Sequence, residues 1–576
     1  MRRRGPSRDD IPRGDELLAK LRELGEPEYR VFAAGRRSDD EIEQALQWRF
    51  RVFRKLESPT ELRPPIDWDM DPLGSRPWRA QLQAQRFLDI LFKADRQGHG
   101  EALPMAREIA LDWIAANAPG EERMFAWADK IAGDRVPYYC YLLRAAGARG
   151  LVDAEQASVL LDSIVEHGRF LADPENYTAS SNHGLFEDAG LVLLANYLPF
   201  LPQSDEWRAL AVDRFTDSVR AHVSAEAVHL EHSPGYHKFV VETIRKFQAL
   251  GEVESPALDE LLAEMQRVGA WFVLPDGCLP PVGDTEQIPA PEWALDGVDD
   301  AQGVATFPEA GIAVVRERGD YVYVAANHHS HVHKHGDDAS FIYHHGALEI
   351  VGEAGKFGYE PSDPGRVYAR SATAHNGLVV DGRDLLWQGH EPYGSGIRGS
   401  ANSDGWTAIR AVNPLVADLG VTHERLLLVR PGAGLVVVDS VQAEEEHDYL
   451  RYVHFGPELE AAESAGEILL AGPGISGRVV DCGPQRSGLE LVRGRREPFV
   501  QGWTFPGYRE WRPVWALELA SREADALFAL AISLGPLAVD AVDRDDGGYR
   551  LELRLDGEPV SLTVGECGGA LALATG

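Results

Sequence analysis

Seven of the chain's 19 histidines fall between His328 and His345. The densest part reads His328-His329-Ser330-His331-Val332-His333-Lys334-His335-Gly336-Asp337-Asp338. On a strand, alternate side chains share a face, so His331, His333 and His335 are expected to point the same way. Two imidazoles on one face can converge on a cation, at about 2.0–2.1 Å for zinc. A solvated His-rich loop is the plain alternative. A cupin would want a glutamate about four residues after the second histidine, and Ala339 and Ser340 stand there instead. A metal-dependent amidohydrolase would want the pair on the first strand of an α/β barrel, whereas here it follows a long helical half.

Two smaller constellations lie upstream. Ser180-Ser181-Asn182-His183-Gly184-Leu185-Phe186 stands just before a helical pattern, where Asn182 could serve simply as a helix cap. Glu231-His232-Ser233-Pro234-Gly235-Tyr236-His237 contains a Pro-Gly turn that should put Tyr236 at the start of the next helix. A buried tyrosine with one satisfied hydroxyl is the ordinary reading of that position.

The elements that must position these residues come in two textures. From about Asp15 to Leu250 apolar residues recur at helical spacing, as in Leu160, Leu161, Ile164 and Leu171. Similar stretches run from Trp78 to Ala94, Leu103 to Ala116, Gly190 to Leu198, Trp207 to Val223 and Val241 to Leu250. Many helices joined by short turns predict a solenoid or a closed ring of helical hairpins. After the Pro/Gly-rich stretch Pro275 to Pro291 the pattern becomes short alternating runs, among them Gly311–Val315, Tyr321–Ala325, Leu426–Val429, Leu435–Val438 and Leu551–Leu555. Runs spaced by about 8–12 residues with Gly, Asp-Gly and Pro-Gly turns predict an antiparallel β-sandwich. The chain is therefore read as α+β and multidomain: a partly helical extension over 1–60, a helical domain over 61–300 and a β-sandwich over 301–576.

With 57 Lys+Arg against 91 Asp+Glu in 576 residues, the net charge is −34. Such a surface excludes sequence-independent nucleic-acid binding and docking on anionic lipid, but a local cationic site for a small anion survives in that field. Cys140, Cys278, Cys482 and Cys567 are too scattered for a disulfide scaffold or a zinc knuckle. Met1-Arg2-Arg3-Arg4 is followed by no apolar segment, so no export signal is read and a cytoplasmic location is expected; a mis-assigned start would make it periplasmic or secreted. No membrane span is expected, and the chain is compatible with a homodimer.

His333-Lys334-His335-Gly336-Asp337-Asp338-Ala339-Ser340-Phe341, then Val351-Gly352-Glu353-Ala354-Gly355, then Arg370-Ser371-Ala372-Thr373-Ala374-His375-Asn376-Gly377 through Asp381-Gly382 resembles the heparinase II/III-like polysaccharide lyases. Ser181–Gly184, Ser233–Tyr236, Asp276–Asp284 and Ile66–Trp78 fit in the same order. The resemblance implies an incomplete (α/α) toroid followed by an antiparallel β-sandwich. It also implies β-elimination on uronate-containing poly- or oligosaccharides, leaving an unsaturated uronate. The C5 proton of a uronate becomes acidic enough only when the adjacent carboxylate is neutralised. By resemblance, Asn182 and His183 do this, while Tyr236 and His333 are the catalytic acid and base, in an order set by C5 stereochemistry. His335, Glu353 and His375 take the metal-ligand positions, with one structural Zn²⁺ expected, Ca²⁺ or another divalent ion as the alternative, and no organic cofactor. The family commonly has Asp where Glu353 stands. Asp337 and Asn376 are expected to support the ligands. Arg370 and His237 are the substrate-binding candidates, Arg370 because its guanidinium matches carboxylate or sulfate forks. A uronyl C5-epimerase and a non-catalytic glycan-binding protein are the alternative functions.

Overall fold

The computed structural model describes residues 11–32, 38–53, 58–117, 123–179, 183–545 and 548–576. Two compact units emerge: one holds Met1–Ala221 and Glu242–Asp259, the other His222–Val241 and Glu260–Gly576.

The first unit is helical. Its central members are Asp129–Arg149, Ala154–Ala172, His183–Tyr197 and Ser204–Ala221. Asp153 and Gln156 cap the second of these reciprocally through a capping box. Helices Asp129–Arg149 and His183–Tyr197 meet where Gly133 faces Gly190; a Cβ on Gly190 would lie 2.5 Å from the Gly133 carbonyl oxygen, so only glycine permits this approach. The predicted Trp78–Ala94 helix is instead broken, because Gln85 adopts a left-handed conformation between Arg76–Ala84 and Asp89–Arg96. Arg135, fully buried, donates to the Gln83 and Ala126 carbonyls at 2.7 and 2.8 Å and stacks over Trp113 at 3.8 Å. Those bonds offset the cost of a buried cation.

The second unit is built from antiparallel sheets. A five-stranded sheet runs Gly303–Phe307, Ile312–Glu317, Asp320–Ala325, Ser340–His345 and Leu348–Val351. An eight-stranded sheet has Val421–Arg430 paired with Gly434–Ala443 in its middle. A four-stranded sheet contains Leu378–Val380, His447–His454, Trp515–Glu523 and Gly488–Arg493. Their apolar faces share one core that includes Val322, Phe341, Leu427, Val437 and Leu519. The other face of the eight-stranded sheet packs on a terminal four-stranded sheet, Leu537 to Thr575, through Leu426, Val436, Leu551 and Leu562. The central strands are buried on both faces, Asp320–Ala325 along its whole length, whereas Gly548–Leu555 in the terminal sheet alternates buried and exposed residues, so a one-residue slip there would turn its apolar set to solvent. The observed fold is a helical region followed by an antiparallel β-sheet region, as the two textures predicted. Among the described residues no helix is long and apolar enough to cross a membrane.

Candidate active site

In the second unit, Ser233 starts the helix Pro234–Gly251: its hydroxyl accepts the Tyr236 N–H at 3.3 Å and bonds Thr285 Oγ1 at 2.8 Å, and Thr285 in turn accepts the Gly235 N–H at 3.0 Å. Tyr236 therefore sits in the first helical turn, half-buried, as the Pro-Gly turn predicted.

The histidine-rich segment departs from expectation. Between the short strand Asn327–His328 and Ser340–His345 it is a loop, and His333 takes a left-handed backbone with φ 55°. The alternation that would align His331, His333 and His335 does not exist. His331 is exposed, its ring 6.3 Å from that of Trp387. The His333 ring stacks on Tyr236 with centroids 3.8 Å apart and planes 19° apart. His335 turns inward against Asp284. A positive φ at a non-glycine residue costs free energy that the surrounding contacts must offset. Here His333 Nδ1 meets Glu231 Oε2 at 2.9 Å. His232, next to Glu231, is also left-handed (φ 59°), and its Nε2 accepts the His329 N–H at 2.9 Å.

These contacts set the charges. Burial pushes the Glu231 carboxyl up, but the His333 hydrogen bond and the surrounding imidazoles outweigh it and hold it below the usual carboxylate range. Glu231 is thus placed to accept the His333 Nδ1–H, and in the neutral imidazole with that tautomer Nε2 carries the lone pair. Tyr236 is pushed in the opposite direction, first by burial and then by Tyr359, Asp284 and Glu231, so its phenol stays protonated well above neutrality. The Tyr236 hydroxyl hydrogen-bonds that of Tyr359. Lys356 donates to the Tyr359 hydroxyl at 2.6 Å, approaches Glu286 at 3.6 Å and lies over the Tyr236 ring at 5.9 Å.

Beside this pair lie the expected metal ligands. His335 Nε2 is 2.9 Å from Asp284 Oδ1, and Arg366 grips the same carboxylate with both terminal nitrogens, one at 2.9 Å. Gly283, with φ 56° and a would-be Cβ 2.5 Å from the His232 carbonyl oxygen, lets the chain bring Asp284 in this closely. His375 Nδ1 contacts Glu353 Oε2, and Glu353 Oε1 accepts from Ser340 at 2.7 Å. The opposite ring atoms, His335 Nδ1 and His375 Nε2, are buried without a partner, and the two ring centroids are 5.4 Å apart. A carboxylate on one nitrogen and a vacant lone pair on the other is the outer-sphere pattern of metal-binding histidines. The residues therefore fit an ion through His335 and His375. Glu353, the third expected ligand, has one oxygen on His375 and the other on Ser340. Among the described residues no group of three or more His, Cys, Asp or Glu side chains is arranged to hold a metal. Asp337 salt-bridges the buried Lys334 at 2.7 Å, and Asn376 bonds the carbonyls of Phe341 and Gly352 at 2.7 and 2.6 Å. Both hold the loops in place.

Arg370 is half-buried; its Nε donates to the Lys334 carbonyl at 3.3 Å and its guanidinium covers Trp387 at 4.4 Å. His237 does not match the substrate-binding role expected of it. It is 2% exposed, with Nε2 against the Met265 carbonyl at 2.8 Å and Nδ1 accepting the His229 N–H at 3.3 Å, so no ring atom is left for a ligand. In the first unit, His183 opens the helix His183–Tyr197, exposed, with Nδ1 3.0 Å from Asp129 Oδ2. Burial raises the Asp129 carboxyl, but His183 and Thr178 bring it down to about 2. Asn182 lies outside the described residues.

Sequence reasoning passed over Glu231, Asp284, Arg366, Lys356, Tyr359 and Asp129. Glu231 and Asp284 stood inside segments already singled out, two residues before Ser233-Pro234-Gly235-Tyr236 and at the end of Asp276–Asp284. Arg366, Lys356, Tyr359 and Asp129 carry no local signal, because tertiary structure alone brings them in.

The model of the heparinase II/III N-terminus matches residues 28–308, and that of the heparinase II/III-like C-terminal region matches 299–530. Sequence comparison with curated proteins returns no significant relative. Among solved structures, a crystal structure of heparinase III superposes with a TM-score of 0.80 at 15% identity, covering 96% of this chain and 95% of that one. Heparan sulfate lyase HepC from Pedobacter heparinus gives 0.67 at 16% identity over 97% and 94%. A chondroitinase AC lyase gives 0.52 at 10% identity over 97% and 93%.

Proposed function

The chain belongs to the heparinase II/III-like polysaccharide lyase family, and from that premise we propose that it cleaves a uronate-containing glycan by β-elimination. The observation that carries this reading is the stack of Tyr236 on His333 with Glu231 on the far ring nitrogen. His333 Nε2 takes the C5 proton. The C5–H electron pair forms the C4=C5 double bond, the C4–O4 bond breaks, and the Tyr236 phenol delivers a proton to O4. Burial keeps that phenol protonated, which suits an acid better than a base. The phenolate left behind is met by the Tyr359 hydroxyl and, behind it, the Lys356 ammonium, a route for reprotonation. The family resemblance gives Asn182 and His183 the neutralisation of the substrate carboxylate, and Asp129 holds the His183 ring. Arg370 offers its guanidinium to a second acidic group of the glycan.

His335 and His375 would hold a divalent ion, zinc being the expected one, with Asp284 and Glu353 fixing their tautomers. Bound there, the ion would supply rigidity to the loop carrying His333.

The test is a panel of uronate-containing glycans followed by the ultraviolet absorbance of unsaturated product. Wild-type protein should generate it, and Tyr236→Phe should lose about 10²–10⁴-fold in rate while retaining fold and glycan affinity. Near-normal turnover in that variant sinks the assignment. Solvent deuterium uptake at C5 without any rise in absorbance would show epimerisation instead.

A further inference from the structure

The chain carries a short basic run, Arg493-Gly494-Arg495-Arg496, on a protein whose net charge is −34. Two of these arginines are spoken for: Arg493 pairs with Glu460 at 3.1 Å and Arg495 with Glu518 at 2.6 Å. Arg496 is exposed and meets no carboxylate within salt-bridge distance among the described residues. Its guanidinium lies over two indoles, Trp511 at 4.1 Å and Trp503 at 4.7 Å, whose rings meet edge to face at 5.2 Å. Stacking on aromatic faces occupies the flat side of a guanidinium and leaves its N–H edge for a planar anion. A long, entropically costly side chain is thereby held in one orientation.

This platform is joined to the catalytic segment. Trp511 packs on Phe357 with centroids 5.2 Å apart. The backbone around it is sewn to residues 354–357, with Phe505 N–H donating to the Ala354 carbonyl at 2.9 Å and Arg509 N–H to the Phe357 carbonyl at 2.8 Å. One residue before Phe357 stands Lys356 and two after it Tyr359, the pair that meets the Tyr236 hydroxyl. Residues 354–359 therefore touch both sites.

We propose that Arg496, seated on Trp503 and Trp511, is an accessory subsite for an anionic oligosaccharide. The guanidinium edge takes a carboxylate or sulfate of the glycan, and the part of the half-buried indoles left uncovered beside it packs on a sugar ring. Charge complementarity selects this occupant: an unpaired, preorganised cation on an acidic protein favours an anion, and its link to the Tyr236 segment favours one continuous with the reacting chain. The choice of glycan as the anion rests on the lyase reading above; the binding geometry does not.

Calorimetry on the full chain carrying Tyr236→Phe, with tetra- and octasaccharides from heparan sulfate and from alginate as probes, separates the two. For at least one glycan the octasaccharide should bind more tightly than the tetrasaccharide. Adding Arg496→Gln should weaken octasaccharide binding by about tenfold, the scale of one bidentate charge-assisted contact, with a much smaller effect on the tetrasaccharide. Arg496→Lys, which keeps charge and stem but lacks the fork, should fall between and keeps the test decisive if the glutamine variant loses its fold. Unchanged octasaccharide affinity in both variants, equal weakening of both lengths, or no measurable binding of either octasaccharide overturns the subsite. If wild-type protein cleaves no glycan while binding still depends on Arg496, the lyase reading fails and the subsite stands. The converse result leaves the lyase and removes the subsite.

Discussion

Replacing Glu231 with glutamine tests how His333 is prepared for proton abstraction. Glu231 is 3% exposed and its Oε2 lies 2.9 Å from His333 Nδ1. It is ionised at neutral pH, because the imidazole hydrogen bond outweighs burial. Glutamine preserves the volume but removes the charge, and its amide can present a donor to Nδ1, which would put the proton on Nε2, the atom that must be free. A hydrogen bond to a charged group contributes about 1.5–3 kcal/mol net. If that stabilisation is felt fully when His333 becomes imidazolium in the transition state, kcat falls about 10- to 150-fold. KM should change little, since Glu231 faces the base and not the solvent. The assay is initial-rate formation of unsaturated product across substrate concentration, with the thermal midpoint measured alongside and expected within about 5 °C of wild type. A kcat within about threefold of wild type would mean that Glu231 does not orient the base. A raised KM at constant kcat would place it in ground-state binding instead.

Three further outcomes are expected. His335→Ala should lose bound divalent metal by elemental analysis, whereas Glu353→Gln should keep it with affinity reduced about 10–100-fold, the effect of losing an orienting group; equal loss in both would make Glu353 a direct ligand. Asp439→Asn should cost about 3–5 kcal/mol in urea unfolding, because it strands the buried Arg425, paired with Asp439 at 2.7 Å and tied to the Ala339 carbonyl at 2.8 Å; Asp439 is held well below the usual carboxylate range, so its contribution is present above about pH 4, and the gap should narrow as pH falls further. In the helical unit, burial pushes Glu187 up to about 8, so the native state favours the protonated acid and loses stability as pH rises from about 4 through 8; Glu187→Gln should therefore raise the thermal midpoint at about pH 9 but hardly at about pH 4, and a pH-independent difference would contradict the assignment.

What could be read from sequence was whatever depends on local pattern. Helical and alternating apolar spacing gave the two regions in order, and the Pro-Gly turn placed Tyr236 on its helix. The HxH reading failed because it assumed an extended backbone. Nothing in Val332-His333-Lys334 announces the left-handed step at His333, whose ring meets Glu231 from about a hundred residues away while the next residue, Lys334, is buried against Asp337. The same limit explains His237: one position after Tyr236 on the helix, its ring turns to the Met265 carbonyl in the interior. Partners such as Lys356 and Arg366 were invisible for a different reason. A lone cation in sequence has no signature until the fold decides which carboxylate or hydroxyl it meets.

That decision also resolves how an acidic protein can present a site to an acidic substrate. In the β-sheet unit the buried acids are taken up internally: Glu231 by His333, Asp284 by Arg366 and His335, Glu353 by His375 and Ser340, and Asp337 and Asp338 by Lys334. A carboxylate bonded in this way no longer opposes an incoming anion as a free charge would, and it orients the donors that face the substrate. The remaining excess of Asp and Glu sits among exposed groups, where fields decay within about 8 Å at physiological ionic strength. The net charge of −34 thus describes the solvated surface. The chemistry of the β-sheet unit is governed by short contacts in which these buried acids are already held by a histidine, an arginine, a lysine or a hydroxyl.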